Sequence, residues 1–528
     1  MKNKIIKRLL PLGLAIGLAL TSFCGCGAKK ESSNEASTEQ VVSGKHINVA
    51  FFWISTGLDP AVDYDGWVLS RLGVGESLVK LNDNLEVEAS IADEWKNIDD
   101  LTWEFHIRDG LTFSNGKAVT AKEAKDAILR AVEKNNRAAE YLKIDEIICD
   151  GQTMTIKTTE PNAALLNNIV EPVFNIIDVS EGEEKINNAP VGTGPFVVAD
   201  FKSEQSVELV KNEKYWGGEV GLDSVSVTQI ADASARAMAL QSKEIDLTNT
   251  IDNTTTNKTF LNNEDYNVSS IVSPRVNVAY MNNDKSRPLG DIELRKAVSY
   301  AADRESYANL IGGSAAHSAY SDATPFKNET INAISYDVKK AEEILDAAGY
   351  KDTDNDGYRE MPNGNKMVLQ FLQSADHGSA DSAILAQALQ ADLKKVGINL
   401  EILAVENLSD YQTEGNFDFY TANDNSAPTG DPQIWLETMY TGLGTSGKKN
   451  LTKFENEEIN NIVNDMKKTF DTQARFELAA KASQVLNDEA ANLFLTNSYI
   501  NMVSLAKVKN ANQPVCDFYF LTKDITVE

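Results

Sequence analysis

At 528 residues the chain is long enough for two or three core-bearing domains, and its 42% hydrophobic and 24% charged content excludes bulk disorder. A formal net charge of −28 opposes nucleic-acid binding and non-specific adhesion to anionic lipid. Four cysteines, two of them among the first 26 residues, exclude a disulfide framework, so a large core must hold the fold.

The N-terminus reads as an export signal. Lys2, Lys4, Lys7 and Arg8 precede an apolar stretch from Leu9 to Leu20, which falls short of the ~20 apolar residues that span a bilayer. Pro11, Gly13 and Gly17 loosen it further. The run Thr21-Ser-Phe-Cys-Gly-Cys-Gly27 then resembles the lipobox of bacterial lipoproteins, where the signal is removed and the new N-terminal cysteine is acylated. Residues 1–25 are expected to be cut away and Cys26 lipidated, in preference to Cys24 because Phe23 would crowd the cut beside it. Cleavage there removes four cations and no acid, leaving −28 − 4 = −32. Residues 26–44 should be a flexible tether, since from Ala28 to Lys45 there is too little apolar surface to offset ordering entropy. This address is the extracytoplasmic face of the cell membrane. No later run has membrane-spanning length.

The body alternates strand-like and helix-like segments. Ile47–Ile54 reads as a strand, and Leu101–Ile107 alternates so that Leu101, Trp103, Phe105 and Ile107 share a face. Thr120-Ala-Lys-Glu123 is a capping box for a helix with Ala124, Ala127, Ile128 and Ala131 on one stripe. Short strands follow at Met154–Lys157, Phe196–Ala199, Val207–Val210 and Val225–Ile230. From Pro274 the pattern restarts: strand Val276–Met281, helix Asp291–Arg304, and helix Tyr336–Ala348 stopped by Gly349. Strand Val368–Leu372, a long helix to Gly397 and strand Ile398–Val405 form a β-α-β series. Helix Gln473–Asn487 and the apolar segment Ala491–Val503, which returns to the first half, complete an α/β pattern in two lobes. Cys149 and Cys516 either pair in an oxidising compartment or remain two buried thiols.

Catalytic signatures fail on inspection. Gly442–Lys449 nearly matches a phosphate loop, but Lys449 stands where magnesium needs a hydroxyl. Ser114-Asn-Gly-Lys117 has an acyl-transfer spacing, yet Asn-Gly marks a hairpin turn. His46, His106, His317 and His377 show no metal-ligand spacing. Asp352, Asp354 and Asp356, followed by Gly357 and Glu360, resemble the first half of a calcium loop, with Asn363 where the bidentate glutamate belongs; an acidic turn is the simpler reading. Tyr64, Trp67, Arg137, Tyr141, Arg275 and Trp435 fall off the periodic faces, in apparent loops, and supply the aromatic walls and fixed charges a small-molecule pocket needs.

Several segments in order resemble the large solute-binding proteins of ABC importers for peptides and nickel. They are Ile91 to Gly116, Pro190-Val-Gly-Thr-Gly-Pro195, Lys211 to Gly217, Ile245-Asp-Leu247 and Leu294 to Arg304. The resemblance implies a periplasmic-binding-protein-like fold of type II, the large class C variety with an extra subdomain in the first lobe. Lobe I would comprise residues 45–275 plus 495–528, and lobe II residues 276–494. It also implies a monomer that closes on its solute and serves ABC permease and ATPase subunits. Peptide-type members carry an aspartate three residues before an Asp-Pro pair; here Asp431-Pro432 follows and that position is Pro428. The runs Arg130 to Leu142 and Arg475 to Ser504 are closer to the nickel and metallophore branch, which places Tyr141, Asn425 and Thr429 at the pocket with Arg137 nearby. The branch's pocket histidine is absent, which disfavours a bare ion. A chelator whose carboxylates meet Arg137 or Arg275 bidentately fits better. Asp424 and Asp431 keep a peptide ammonium open. The alternatives are a surface-tethered hydrolase and an oligopeptide sensor without a transport role.

Overall fold

A computed structural model describes residues 44–327, 330–375, 380–441 and 450–528. Cys26, His377 and the run 442–449 lie outside the described residues.

The largest sheet has eleven strands. At one end Val368–Ser374 runs parallel to Asn399–Val405 and to Phe419–Asn425. At the other, His46–Phe51 runs parallel to Ser224–Gln229 and Leu247–Asn249, and Ser206–Lys211 and Phe196–Lys202 continue antiparallel to the edge. Two long antiparallel strands join the ends: Tyr266–Met281 and Asn492–Leu505 pair from Tyr266↔Leu505 to Tyr280↔Asn492. Their register breaks between Val272 and Val276 and again after Asn277. Pro274, which has no N–H to give a ladder, falls inside the first break. Central strands packed on both faces read as near-continuous apolar runs, as Val276–Met281 does.

A second, four-stranded antiparallel sheet has the order Ala92–Asp99, Thr102–Ile107, Thr153–Thr158, Ile144–Asp150. Trp103, Phe105 and Ile107 point into its core with Met154 and Ile156. Leu101 does not: it is 40% exposed, in the turn before the strand begins. Helix Ala121–Lys134 covers this sheet with the expected stripe. Thr120 caps Lys122 N at 3.2 Å and its hydroxyl donates to Glu123 at 2.5 Å.

The buried clusters fall into two sets. Three are built from residues 47–260 and 502–525, two from residues 276–495. The helix expected over Asp291–Arg304 is two helices, Ile292–Ala301 and Arg304–Ile311, capped by Asp291 and Asp303. Each aspartate favours a cap over a helix interior, which splits the apolar pattern. Ser114–Lys117 is the expected hairpin turn, with Phe113 N bonded to Lys117 O at 2.9 Å. Cys149 and Cys516 are free thiols. Among the described residues no helix is long and apolar enough to cross a membrane.

Candidate ligand-binding site

Ligands of open α/β sheets gather beyond the carboxyl ends of parallel strands. Past Phe51 the chain runs through a loop to Tyr64 and helix Asp65–Arg71, which carries Trp67. An ion network ties that loop to helix Ala121–Lys134. Arg130 grips Asp59 bidentately at 2.7 and 2.6 Å, Lys134 adds a contact at 3.4 Å, and the Asp59 carboxyl is held below its ordinary range although burial opposes this.

Arg137 and Tyr141 lie on the short helix Asn136–Leu142, so with Trp67 they are helical, not loop, residues; Trp435 likewise lies on helix Gln433–Tyr440, and Arg275 on a strand. The Arg137 guanidinium lies 4.1 Å above the centre of the Tyr64 ring. Its Nη2 donates to Asp63 O at 2.8 Å and stands 3.2 Å from Glu171, whereas its Nε has no partner among the described residues. Glu171 is 1% exposed and also accepts from Trp67 Nε1 at 2.8 Å. Burial alone would lower the Arg137 pKa; the Glu171 carboxylate, Tyr64 and Tyr141 together outweigh it and raise it. Burial, then the Glu171 charge, pushes the Tyr141 hydroxyl well up, so it stays a neutral phenol. Trp67 packs edge-on against Tyr64 and Phe518, and the Arg71 cation stands 5.4 Å from its ring centre.

From the other half, Arg275 stands in the interrupted stretch of the long strand. It is not free for a bidentate ligand: Nε and Nη2 already hold Asp517 at 2.9 and 2.7 Å, and Nη1 donates to Asn423 O at 3.0 Å. Asp424 and Asn425 close strand Phe419–Asn425. Burial raises the Asp424 carboxyl above its ordinary range, against the pull of the Tyr280 hydroxyl and of Arg275. Trp435 is near enough to act on the same carboxylate, but its indole N–H meets no partner in hydrogen-bond geometry among the described residues. Asn425 Oδ1 caps Ala427 N at 3.1 Å. Thr429 is fully buried: its carbonyl accepts from Asn167 at 3.0 Å and its hydroxyl meets Asn168 at 3.4 Å, so it joins the two halves. Asp431 is bound bidentately by Arg475 at 2.6 to 2.8 Å, which removes it as an ammonium partner.

This cluster therefore sets Arg71, Arg137 and Arg275 against Glu171, Asp424 and Asp517, three cations beside three carboxyl groups inside a strongly acidic protein. Sequence reasoning missed Glu171, Asp517, Tyr280 and Tyr420. Glu171-Pro172 opens a short 3-10 helix, a capping signal, but its role as counter-ion to Arg137 has no local mark. Elsewhere, a half-open cavity of about 200 Å³ has Glu76 in its wall, already held by Thr193, Tyr215 and Trp216 at 2.7 to 2.9 Å. In the acidic turn, single carboxylate oxygens of Asp352, Asp354, Asp356 and Glu360 lie within 4.8 Å of one another. Lys366 stands 3.5 and 3.1 Å from Asp354 and Asp356, and backbone N–H groups of Gly357 and Tyr358 occupy Asp352 and Asp356. Lys366 is one cation against these four carboxyl groups.

A two-lobed α/β fold joined by shared strands, with an aromatic, charge-fixed cluster contributed by both sets of elements, is that of the solute-binding proteins that feed ABC importers. The sequence model of the bacterial extracellular solute-binding proteins, family 5, matches residues 86–447, and the chain belongs to that family. It is 24% identical over 516 residues to the nickel-binding protein NikA of Staphylococcus aureus, covering 97% of this chain and 98% of that one. It is 24% identical to the dipeptide-binding protein DppE of Bacillus subtilis, over 92% of this chain and 93% of the other. A crystal structure of a nickel ABC transporter protein from Bacillus halodurans matches with a TM-score of 0.76 and 29% identity, covering 92% of this chain and all of that one.

Proposed function

We propose that this protein is a lipid-anchored receptor on the extracytoplasmic face of the cell membrane. It closes on a small metal chelate or a short peptide and hands it, as a monomer, to ABC permease and ATPase subunits. Residues 45–275 with 495–528 form lobe I and residues 276–494 lobe II, a division supported by the two sets of buried clusters. Similarity to both nickel- and dipeptide-binding proteins supports the two ligand classes. The proposed role is binding without catalysis, since the polar groups of the cleft are arranged as hydrogen-bond and charge partners. Cys26 would carry the lipid, and residues 26–44 the slack that lets the body reach its permease.

The observation that carries this reading is Arg137: a cation held 4.1 Å from the centre of the Tyr64 ring and braced by Glu171 has a buried Nε with no partner among the described residues. A carboxylate on chelator or peptide matches it. Calorimetry with the nickel–histidine complex and a di- to pentapeptide pool should give a Kd of about 10 μM or tighter for one of them. Arg137→Lys, which keeps a cation beside Glu171 but loses the planar fork, should weaken that binding on the order of 10-fold with a smaller effect on the melting profile than Arg137→Met. Absence of binding by every probe at millimolar concentration sinks the ligand assignment.

A further inference from the structure

The half-open cavity of about 200 Å³ beside Glu76 lies between the turn that follows helix Asp65–Arg71 and residues 519–524 near the C-terminus. It has room for a small organic molecule, since an engineered protein cavity of about 150 Å³ takes up benzene. Two polar groups of its wall are incompletely matched. The first is the Glu76 carboxylate, which accepts from the hydroxyls of Thr193 and Tyr215 and from the Trp216 indole N–H. These donors are neutral, so they solvate the charge without cancelling it, and they fill three of the roughly four lone-pair directions of a carboxylate. Other buried carboxylates of this protein hold a cation. Asp59 meets Arg130 at 2.6 Å, Asp246 meets Lys507 at 2.7 Å and Asp431 meets Arg475 at 2.6 Å. Lys80 acts on Glu76 only from a distance and stands 4.0 Å from Glu88 instead. Burial therefore raises the Glu76 pKa in spite of its three donors.

The second group is the Tyr519 hydroxyl. It accepts from Leu81 N at 3.4 Å, while its own proton has no acceptor among the described residues. Burial keeps that phenol protonated, and Glu76 is close enough for its charge to act on it. Lys523, in the same wall, is answered by Asp524 at 2.7 Å. A carboxylate without a cation and a phenol without an acceptor, facing one cavity, call for a ligand that supplies both. We propose that this cavity is a second ligand site, separate from the solute site, for a small primary amine that carries a nearby oxygen. Its ammonium takes the remaining lone pair of Glu76, and its oxygen receives the Tyr519 proton. The occupant bridges two segments that run on to the solute site: residues 73–75 follow the helix that carries Trp67, and Leu521 N donates to Arg71 O at 2.9 Å. The site is independent of which solute the protein carries.

The test is the melting temperature of the full-length protein, in detergent and phosphate buffer, titrated with 2-aminoethanol to about 50 mM. A ligand of so few atoms can reach a Kd of about 1 mM, so the melting temperature should climb across this range. Ethylene glycol, which lacks the ammonium, and tetramethylammonium chloride, which lacks an N–H, should give no such climb at matched ionic strength. Tyr519→Phe should weaken the amine about tenfold, and Glu76→Gln at least as much, each read as a shift from the variant's own unliganded melt. Thr522→Phe adds bulk to the cavity wall and should abolish the shift. It also carries the test if Glu76→Gln does not fold. An equal climb with tetramethylammonium marks a salt effect and overturns the proposal. A full climb in Thr522→Phe overturns it too, because the amine then binds elsewhere. No climb with 2-aminoethanol means that the cavity takes water only; the second site falls and the importer role stands.

Discussion

Asp65 opens the helix that presents Trp67, and it does so while 4% exposed, with Asp63 and Asp59 nearby. Burial, reinforced by those two charges and opposed by Ser55, raises its carboxyl from 3.8 to about 7. The folded protein thus keeps a proton that the unfolded chain releases near pH 4, so this group's contribution to stability falls as pH rises from about 4 to 7 and is level above that. Asp65→Asn should match wild type at pH 4 and be about 1–2 kcal/mol more stable at pH 8, after discounting for residual solvent. Urea unfolding at pH 4, 6 and 8 measures this; an equal gain at every pH would refute it. At this scale legibility was uneven. Tyr64, Trp67, Arg137 and Tyr141 were readable as pocket candidates because aromatic and basic residues off a periodic face need some other explanation. The engagement of Asp431 by Arg475, and of Arg275 by Asp517, was not, because ion pairs across 44 and 242 residues leave no local trace.

Elements with strong periodicity were readable, and short ones were not. Strand Thr102–Ile107 and helix Ala121–Lys134 appear close to where alternation and capping place them. Helices Asp65–Arg71 and Asn136–Leu142 are seven residues each, too short for a 3.6-residue period to show, so their site residues read as loop. Strand Tyr266–Met281 begins ten residues before its apolar end because Asn492–Leu505 supplies a pairing partner that local propensity cannot reveal. The Pro190–Pro195 segment packs its backbone directly on the turn after helix Asp65–Arg71. A Cβ on Gly194 would stand 2.3 Å from Gly73 O, and one on Gly192 2.1 Å from Val74 O. Neither carbonyl can retreat without moving the helix that carries Trp67. Gly194→Ala should therefore cost about 2–3 kcal/mol, read as a several-degree drop in Tm; an unchanged melt would contradict the close approach.

For the whole molecule, the ordered motifs from Ile91 to Arg304 identified the family because no single periodic pattern had to carry the inference; the partition of the core required the fold itself. The proposed anchor belongs to this scale too. Cys26→Ser should move the protein from the membrane fraction to the culture medium or soluble extracytoplasmic fraction, with ligand affinity unchanged, and fractionation with immunoblotting reads the outcome. Membrane retention of the variant would mean that something other than acylation holds the protein there.

The interrupted ladder between the long strands has a consequence for timing. The two long strands lack ladder pairs with one another from Ser273 to Arg275, while Arg275 keeps its pairing with Asn425 on the other side, so bending about this stretch would break few backbone bonds. On the proposed reading, closure about so lightly paired a stretch favours loading paced by encounter with the solute over loading paced by bending.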